Sequence, residues 1–407
     1  MKLKFKIAFR NILRQRGRTA VSLLMIAGAV VGLVIFIGFS DHILSNMKKV
    51  AIDNESGHLQ VGTKTFWNLK SESRKKQLIV NPALLAEKIS HDPEVESVSG
   101  RLSFYGLTST GETTISAKGI GYDPRREQVF TQKLEMRSGH GLMPNSDKDV
   151  VIGLGLQKKM QVEVGGTITV LGYTFDGVIN AMDLNVVGVF VTKNAEIDDN
   201  VFMMPIAATQ TLLDTDRVEV LAIRLHDDAD LMQARNRIEA LILPLDSQIQ
   251  IKTWYELATL YKQVESFYIT QNFLIQAILL SLVFLGILNT IGMSVFERTG
   301  EIGTVRALGE TYRSVVVQFS IEGLLLGVMG AFLGCLAALA IGTLISSMGF
   351  SMDLPGSSAP FSIRVNHIPS GYLKSMLTVI FGAGIATIFP ALRASKMKIV
   401  EALRKNI

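Results

Sequence analysis

Four stretches of this chain are too apolar and too long to belong to a water-soluble core, and they decide its class before anything else does. Residues 19–40 and 273–295 carry no charged side chain, residues 315–345 carry only Glu322, and residues 373–392 only Lys374 near one edge. About 20 apolar residues at 1.5 Å each cross a hydrocarbon layer of roughly 30 Å, so each stretch reads as a span, with Lys374 reaching for the interface. The first is expected to be a span and not a cleaved leader, because Phe36, Ile37 and Phe39 run directly into Asp41 and His42 with no small-residue cleavage site.

Orientation follows from where the basic residues fall. Lys2, Lys4, Lys6, Arg10, Arg14, Arg16 and Arg18 precede the first span without an acidic residue, and Arg393, Lys396, Lys398, Arg404 and Lys405 follow the last against Glu401. The positive-inside rule puts both ends in the cytoplasm, and an even number of spans agrees. The net charge of +5 therefore marks span ends and a lipid bilayer, not a nucleic-acid partner. Phe5, Ala8, Phe9, Ile12 and Leu13 share one helical face while Lys2, Lys6, Arg10 and Arg14 recur every fourth residue, so residues 1–18 read as an amphipathic helix on the inner membrane surface.

The expected layout is then an interfacial helix at 1–18, span 1 at 19–40, an extracytoplasmic domain at 41–272, span 2 at 273–295, a cytoplasmic loop at 296–314, span 3 at 315–345, an outer loop at 346–372, span 4 at 373–392 and a cytoplasmic tail at 393–407. This is a membrane α-helical fold of one plus three spans around a large α+β domain. Within that domain Asn81 and Pro82 open a helix carrying Leu85 and Ile89, and strands follow around Val95 and Val98, at Ile168 and Val170, at Val187, Val189 and Val191, and at Leu221, Ile223 and Leu225. Asp228 or Asp230 caps a further helix with Leu231, Ala234, Ile238 and Leu241 inward. Two lobes are expected.

Reaction chemistry is missing from the pattern. No zinc helix, nucleophile elbow or paired-cysteine site occurs, and the single cysteine, Cys335, sits inside a span, which excludes an intrachain disulfide. Residues 57–64 resemble a phosphate loop but end Thr-Lys where the loop needs Lys before Ser or Thr. The cluster His226, Asp227, Asp228 and Asp230 fits a helix start better than a metal site. No catalytic residue, cofactor or metal ligand is expected in this chain.

In span 3, Gly323 with Gly327 and Gly330 with Gly334 repeat the four-residue spacing that lets helices approach closely in lipid. Glu322 beside them is expected to face another helix or the cytoplasmic interface, with Gln276 and Asn289 as the polar company the other spans offer.

The loop between spans 2 and 3 parses as a small helix. Thr299 suits a cap, Glu301 the first turn and Arg306 the last, and Gly309 ends it. Ile302, Val305 and Leu308 recur every third residue as an apolar ridge flanked by Glu297, Arg298, Glu301 and Arg306, a surplus of ordered apolar surface that asks for a partner. The run FERTGEIGTVRALGE at 296–310 resembles the signature loop of the FtsX and MacB permeases, the mechanotransmission class of ABC transporters that includes the lipoprotein-release permeases. PALRAS at 390–395, IVEALR at 399–404 and Asn289 add to the resemblance.

That resemblance implies a non-enzymatic permease subunit with a MacB-like periplasmic domain in the bacterial inner membrane. Its loop would be the coupling helix that docks on an ABC ATPase, with Glu297, Arg298, Glu301, Ile302, Gly303, Arg306, Ala307, Leu308 and Gly309 matching and Val305 completing the ridge. ATP and magnesium would belong to that partner, since no ATPase domain precedes the first span here. A second permease copy or paralogue would supply the other knob, and a periplasmic carrier, adaptor or lipoprotein would meet the outer domain. The implied function is lipoprotein release or export of a peptide or drug, with an FtsX-like scaffold activating a cell-wall hydrolase as the alternative.

Overall fold

The computed structural model describes residues 2–14, 16–68, 74–127, 134–144, 146–192, 194–352 and 361–395. The chain divides into two compact units, one of residues 1–44, 264–350 and 362–407 and one of residues 45–263 and 351–361.

The first unit is helical: α1 (Lys2–Arg14), α2 (Arg16–Val50), α3 (Thr259–Glu297), α4 (Thr299–Ala307), α5 (Tyr312–Ser347) and α6 (Pro369–Ser395). Among the described residues α2, α3, α5 and α6 are long and apolar enough to cross a membrane. With 39 residues, α3 is about 58 Å long and starts well before the uncharged stretch, because no glycine or proline falls between Thr259 and Phe273.

Close approach at glycine builds this bundle. Lipid gives apolar side chains no reason to hide, so helices associate through tight van der Waals contact. The two glycine pairs of α5 serve different neighbours. A Cβ on Gly323 would run into Thr387, and one on Gly327 would lie 2.9 Å from the Ala383 Cβ, so this pair receives α6. On Gly330 a Cβ would lie 2.5 Å from the Ile26 Cγ2, and on Gly334 2.8 Å from the Ala27 carbonyl oxygen, so the second pair receives α2. Polar threads cross the bundle too. The Ser22 and Thr290 hydroxyls lie 2.7 Å apart, joining α2 to α3, and the Gln276 amide donates to the Thr378 hydroxyl at 3.4 Å, joining α3 to α6.

The second unit is α+β, with two large apolar cores and smaller clusters beside them. Its strands are β1 (Leu59–Thr63), β2 (Val95–Ser109), β3 (Thr114–Tyr122), β4 (Glu135–Gly139), β5 (Asp149–Gly153), β6 (Thr167–Tyr173), β7 (Ile179–Val191), β8 (Val201–Pro205), β9 (Val220–Leu225) and β10 (Ile249–Thr253). They join in the order β10-β1-β9-β2-β3-β8-β5-β7-β4, with β6 bridging β2 and β7. The long strand β2 belongs to both lobes: Val95 to Arg101 pair with β9, and Leu102 to Ser109 pair with β3. One core packs β1, β9 and β10 under the helices Pro82–Ser90 and Leu231–Ile242 through Leu85, Ile89, Ile223, Ala234 and Ile238. The other encloses Leu102, Phe104, Ile168, Val170, Val186 and Phe202.

Some details depart from the periodicity. Asn81 precedes the Pro82 helix but makes no side-chain capping bond. Asp230 caps the later helix, accepting from the Met232 and Gln233 amides, yet Leu241 is exposed and Ile242 takes the inward place. In β7 the inward residues Leu184 and Val186 are followed by a register shift against β5, after which Val189, Phe190 and Val191 are all buried and simple alternation ends. The stretch 57–64 simply carries β1.

Two expectations follow. Gly334→Ala presses a methyl on helix backbone that cannot rotate away and should destabilise the bundle by about 1–3 kcal/mol, whereas Gly292→Ala, where a Cβ meets nothing within 4 Å, should not; thermal unfolding in detergent separates them. In the outer unit Asp92 is buried and accepts from the Arg237 Nε at 2.9 Å, which holds its carboxyl below the usual range. Asp92→Asn should then cost about 1–3 kcal/mol near neutral pH. A depressed native pKa stabilises above the unfolded value of about 3.9 and is lost as pH falls through the native one, so the wild-type advantage should begin to shrink below about pH 4 and vanish only once the pH is below the native value. Unfolding curves of both proteins against pH measure this.

Candidate functional site

The nine residues of α4 follow α3 with only Arg298 between. Thr299 does not cap the helix. Its hydroxyl donates to the carbonyls of Val295 at 3.1 Å and Phe296 at 2.8 Å, binding the first turn of α4 to the end of α3. Glu301 in the first turn and Arg306 in the last agree with the helix dipole, and Gly309 adopts φ +98°, the left-handed conformation that ends a helix.

The apolar ridge does not stay on one face. A three-residue step falls about 60° short of a full turn, so Ile302 is buried in the bundle core while Val305 is 44% and Leu308 84% exposed. Gly303 is buried beside Ile302; Glu301, Ala307, Leu308 and Gly309 are exposed. The inner half of α4 anchors the helix, and the outer half presents apolar side chains to water.

What holds that anchor is Glu322, one residue before Gly323 on α5 and only 3% exposed. Its partners come from outside the spans. The Arg298 Nη1 donates to its Oε1 at 2.9 Å and the Asn11 Nδ2 of α1 donates to the same oxygen at 2.7 Å. Gln276 instead bonds Thr378, and Asn289 is exposed. The Arg298 guanidinium lies 5.4 Å from the Phe319 ring centroid, one turn before Glu322, and its Nε donates to Glu301 Oε2 at 3.1 Å. Burying a lone carboxylate is costly, so this convergence is what lets Glu322 remain in an apolar helix.

Around this centre α1 closes in. Ala8 and Ile12 are buried, Asn11 is half-buried, and Phe5 and Phe9 are exposed, so the apolar face splits between bundle and surroundings. The Leu13 side chain and residues 399–404 lie outside the described residues. The Thr19 hydroxyl donates to the Ile12 carbonyl at 2.8 Å across the α1–α2 junction. Arg18 pairs with Glu297, and Arg14 Nη1 stands 3.9 Å from Glu301 Oε1. Among the described residues no cluster of His, Cys, Asp and Glu is arranged to hold a metal, and the candidate site is a surface with a buried ionic anchor.

Comparison with known proteins matches residues 19–241 to the MacB-like periplasmic core domain and residues 273–399 to the FtsX-like permease C-terminal domain. A macrolide export ATP-binding/permease protein MacB of Bdellovibrio bacteriovorus is 28% identical over 56% of this chain and 35% of its own length. The lipoprotein-releasing system transmembrane protein LolC of Neisseria meningitidis is 25% identical over 95% of this chain and 94% of its own. This chain thus spans about a third of that MacB and nearly all of that LolC. The crystal structure of the periplasmic region of MacB from Actinobacillus actinomycetemcomitans is similar over 50% of this chain and 92% of that one, at 16% identity and a TM-score of 0.39.

The buried pair yields a test. Arg298→Leu leaves the Glu322 carboxylate with Asn11 alone and should cost about 3–5 kcal/mol. Removing both charges in Arg298→Leu/Glu322→Leu should cost less than the single change. Thermal melts of the purified chain read the difference, and additive losses would show that the two groups are not coupled.

Proposed function

This chain belongs to the family that joins a MacB-like periplasmic core domain to an FtsX-like permease domain, and we propose that it is the transmembrane subunit of an ABC transporter whose α4 docks on a separate ATPase chain. The observation that carries this reading is the division of α4: Ile302 and Gly303 are built into the bundle, while Val305 and Leu308 stand in solvent with Glu301 beside them. A connecting loop has no need of an exposed apolar end, and a groove on a partner does. Basic residues before α2 and at Arg393 support placing both termini and α4 in the cytoplasm, where ATP is available. ATP and magnesium then belong to the partner. A second permease copy or paralogue supplies the second docking helix. Docking drives movement of the domain between α2 and α3, for lipoprotein release or export of a peptide or drug from the envelope.

Copurification from native membranes tests the reading. An ATPase should accompany the chain, with a lipoprotein or exported substrate as cargo; an ATPase with a wall hydrolase would point to a signalling scaffold, and the absence of any ATPase would remove both. Leu308→Asp is the informative variant, because Glu301 also touches Arg298 while Leu308 is 84% exposed and leaves the bundle intact. It should weaken ATPase binding by about 2 kcal/mol or more, roughly thirtyfold in Kd, with the melting temperature unchanged. Affinity measured on purified components decides, and undiminished binding would count against docking at α4.

A further inference from the structure

The domain of residues 45–263 is inserted in the chain between α2 and α3, so a movement that starts at α4 has two routes to it. One is covalent: α4 follows α3 after a single residue, and Thr299 bonds back to Val295 and Phe296. The other has no peptide link. Helix α2 is far from α4 in sequence, and α1 leads directly into it.

We propose that Glu322 is a positioning residue of the coupling step, clamping Arg298 and Asn11 together so that displacement of α4 is carried to α2 through α1 as well as to α3. The proposal rests on the docking reading above. Both donors meet on one carboxylate oxygen, at 2.9 Å from Arg298 and 2.7 Å from Asn11, on a side chain buried in the bundle. Arg298 cannot swing away freely, since its guanidinium lies over the Phe319 ring and also bonds Glu301. The far end of the route is equally tied. Ile12, next to Asn11, is 5% exposed, and its carbonyl accepts the Thr19 hydroxyl at 2.8 Å, so α1 and the first turn of α2 are joined across their junction. Arg18–Glu297 and Arg14–Glu301 add surface pairs between the same elements. Pulling α4 therefore strands a buried charge unless the Glu322 turn of α5 follows, and Asn11, bonded to the same oxygen, then draws α1 with it. This gives the carboxylate a reason to sit at the level of Asn11 and Arg298 that a proton relay, which needs a chain of titratable partners, does not.

The clamp is tested in the full complex of permease and ATPase in lipid nanodiscs, in a Cys335→Ser background. Spin-label pairs at Leu24→Cys and Leu336→Cys report α2 against α5, and pairs at Leu285→Cys and Leu336→Cys report α3 against α5; the three positions are exposed. In the wild type ATP should shift both distances. Asn11→Leu keeps the Arg298 to Glu322 pair and should abolish the α2 shift while the α3 shift persists, a selective loss that simple destabilisation does not produce. Glu322→Gln retains an oxygen acceptor and should preserve the α2 shift, whereas Glu322→Leu should lose it. Equal α2 shifts in wild type and Asn11→Leu would overturn the clamp and leave docking standing. No ATP-driven shift of either helix in the wild type would overturn the docking reading and the clamp with it.

Discussion

A carboxylate in an apolar helix has few places to go, and the arrangement of the first unit follows from where Glu322 finds its donors. Two hydrogen bonds and one full opposite charge converge on it. To supply them, the chain after α3 must fold back so that Arg298 reaches α5, and α1 must lie against α5 so that Asn11 does. The start of α4 and the path of the N-terminal helix are thus set by one buried group. An exposed version of the same ion pair would set nothing, because water would replace either partner at little cost.

The glycines solve the complementary problem of bringing backbones together without a hydrophobic effect to drive them. On α5 the first pair accepts α6 and the second accepts α2, which makes α5 their shared neighbour. Glu322 directly precedes Gly323, so the polar anchor and the tightest helix contact occupy adjacent positions. A shift of α5 would disturb both.

The outer unit obeys the ordinary rules of water-soluble domains. Its two largest cores are filled mainly by aliphatic side chains, and β2 ties them by pairing with β9 along its first half and with β3 along its second. Periodicity located β2, β6, β7, β9 and two of the helices, with Leu85, Ile89, Ile168, Val170, Ile223, Ala234 and Ile238 all buried; the remaining strands and helices it did not mark. It failed where two faces are covered at once, as at the end of β7, because a strand buried on both sides no longer alternates. It also misplaced Leu241 by one residue against Ile242, at the last turn of a helix whose direction the neighbouring strands decide.

Within the candidate site the division is sharper. The four crossings, the helix in the loop, its dipole-matched charges and its terminating glycine were legible in the residues, because length without charge and local hydrogen bonding are properties of neighbouring positions. The fate of the apolar ridge was not, since Ile302 turns inward and Leu308 outward only once the bundle exists to receive one of them. Nor were the partners of Glu322 legible. Asn11 lies 311 positions away from it and Arg298 lies in a loop outside the span. By itself the sequence determined that a charge in span 3 had to be satisfied, since lipid offers it nothing. Only the tertiary structure decided by whom, because a buried carboxylate is answered by whichever donors the packing of distant helices brings within hydrogen-bonding distance.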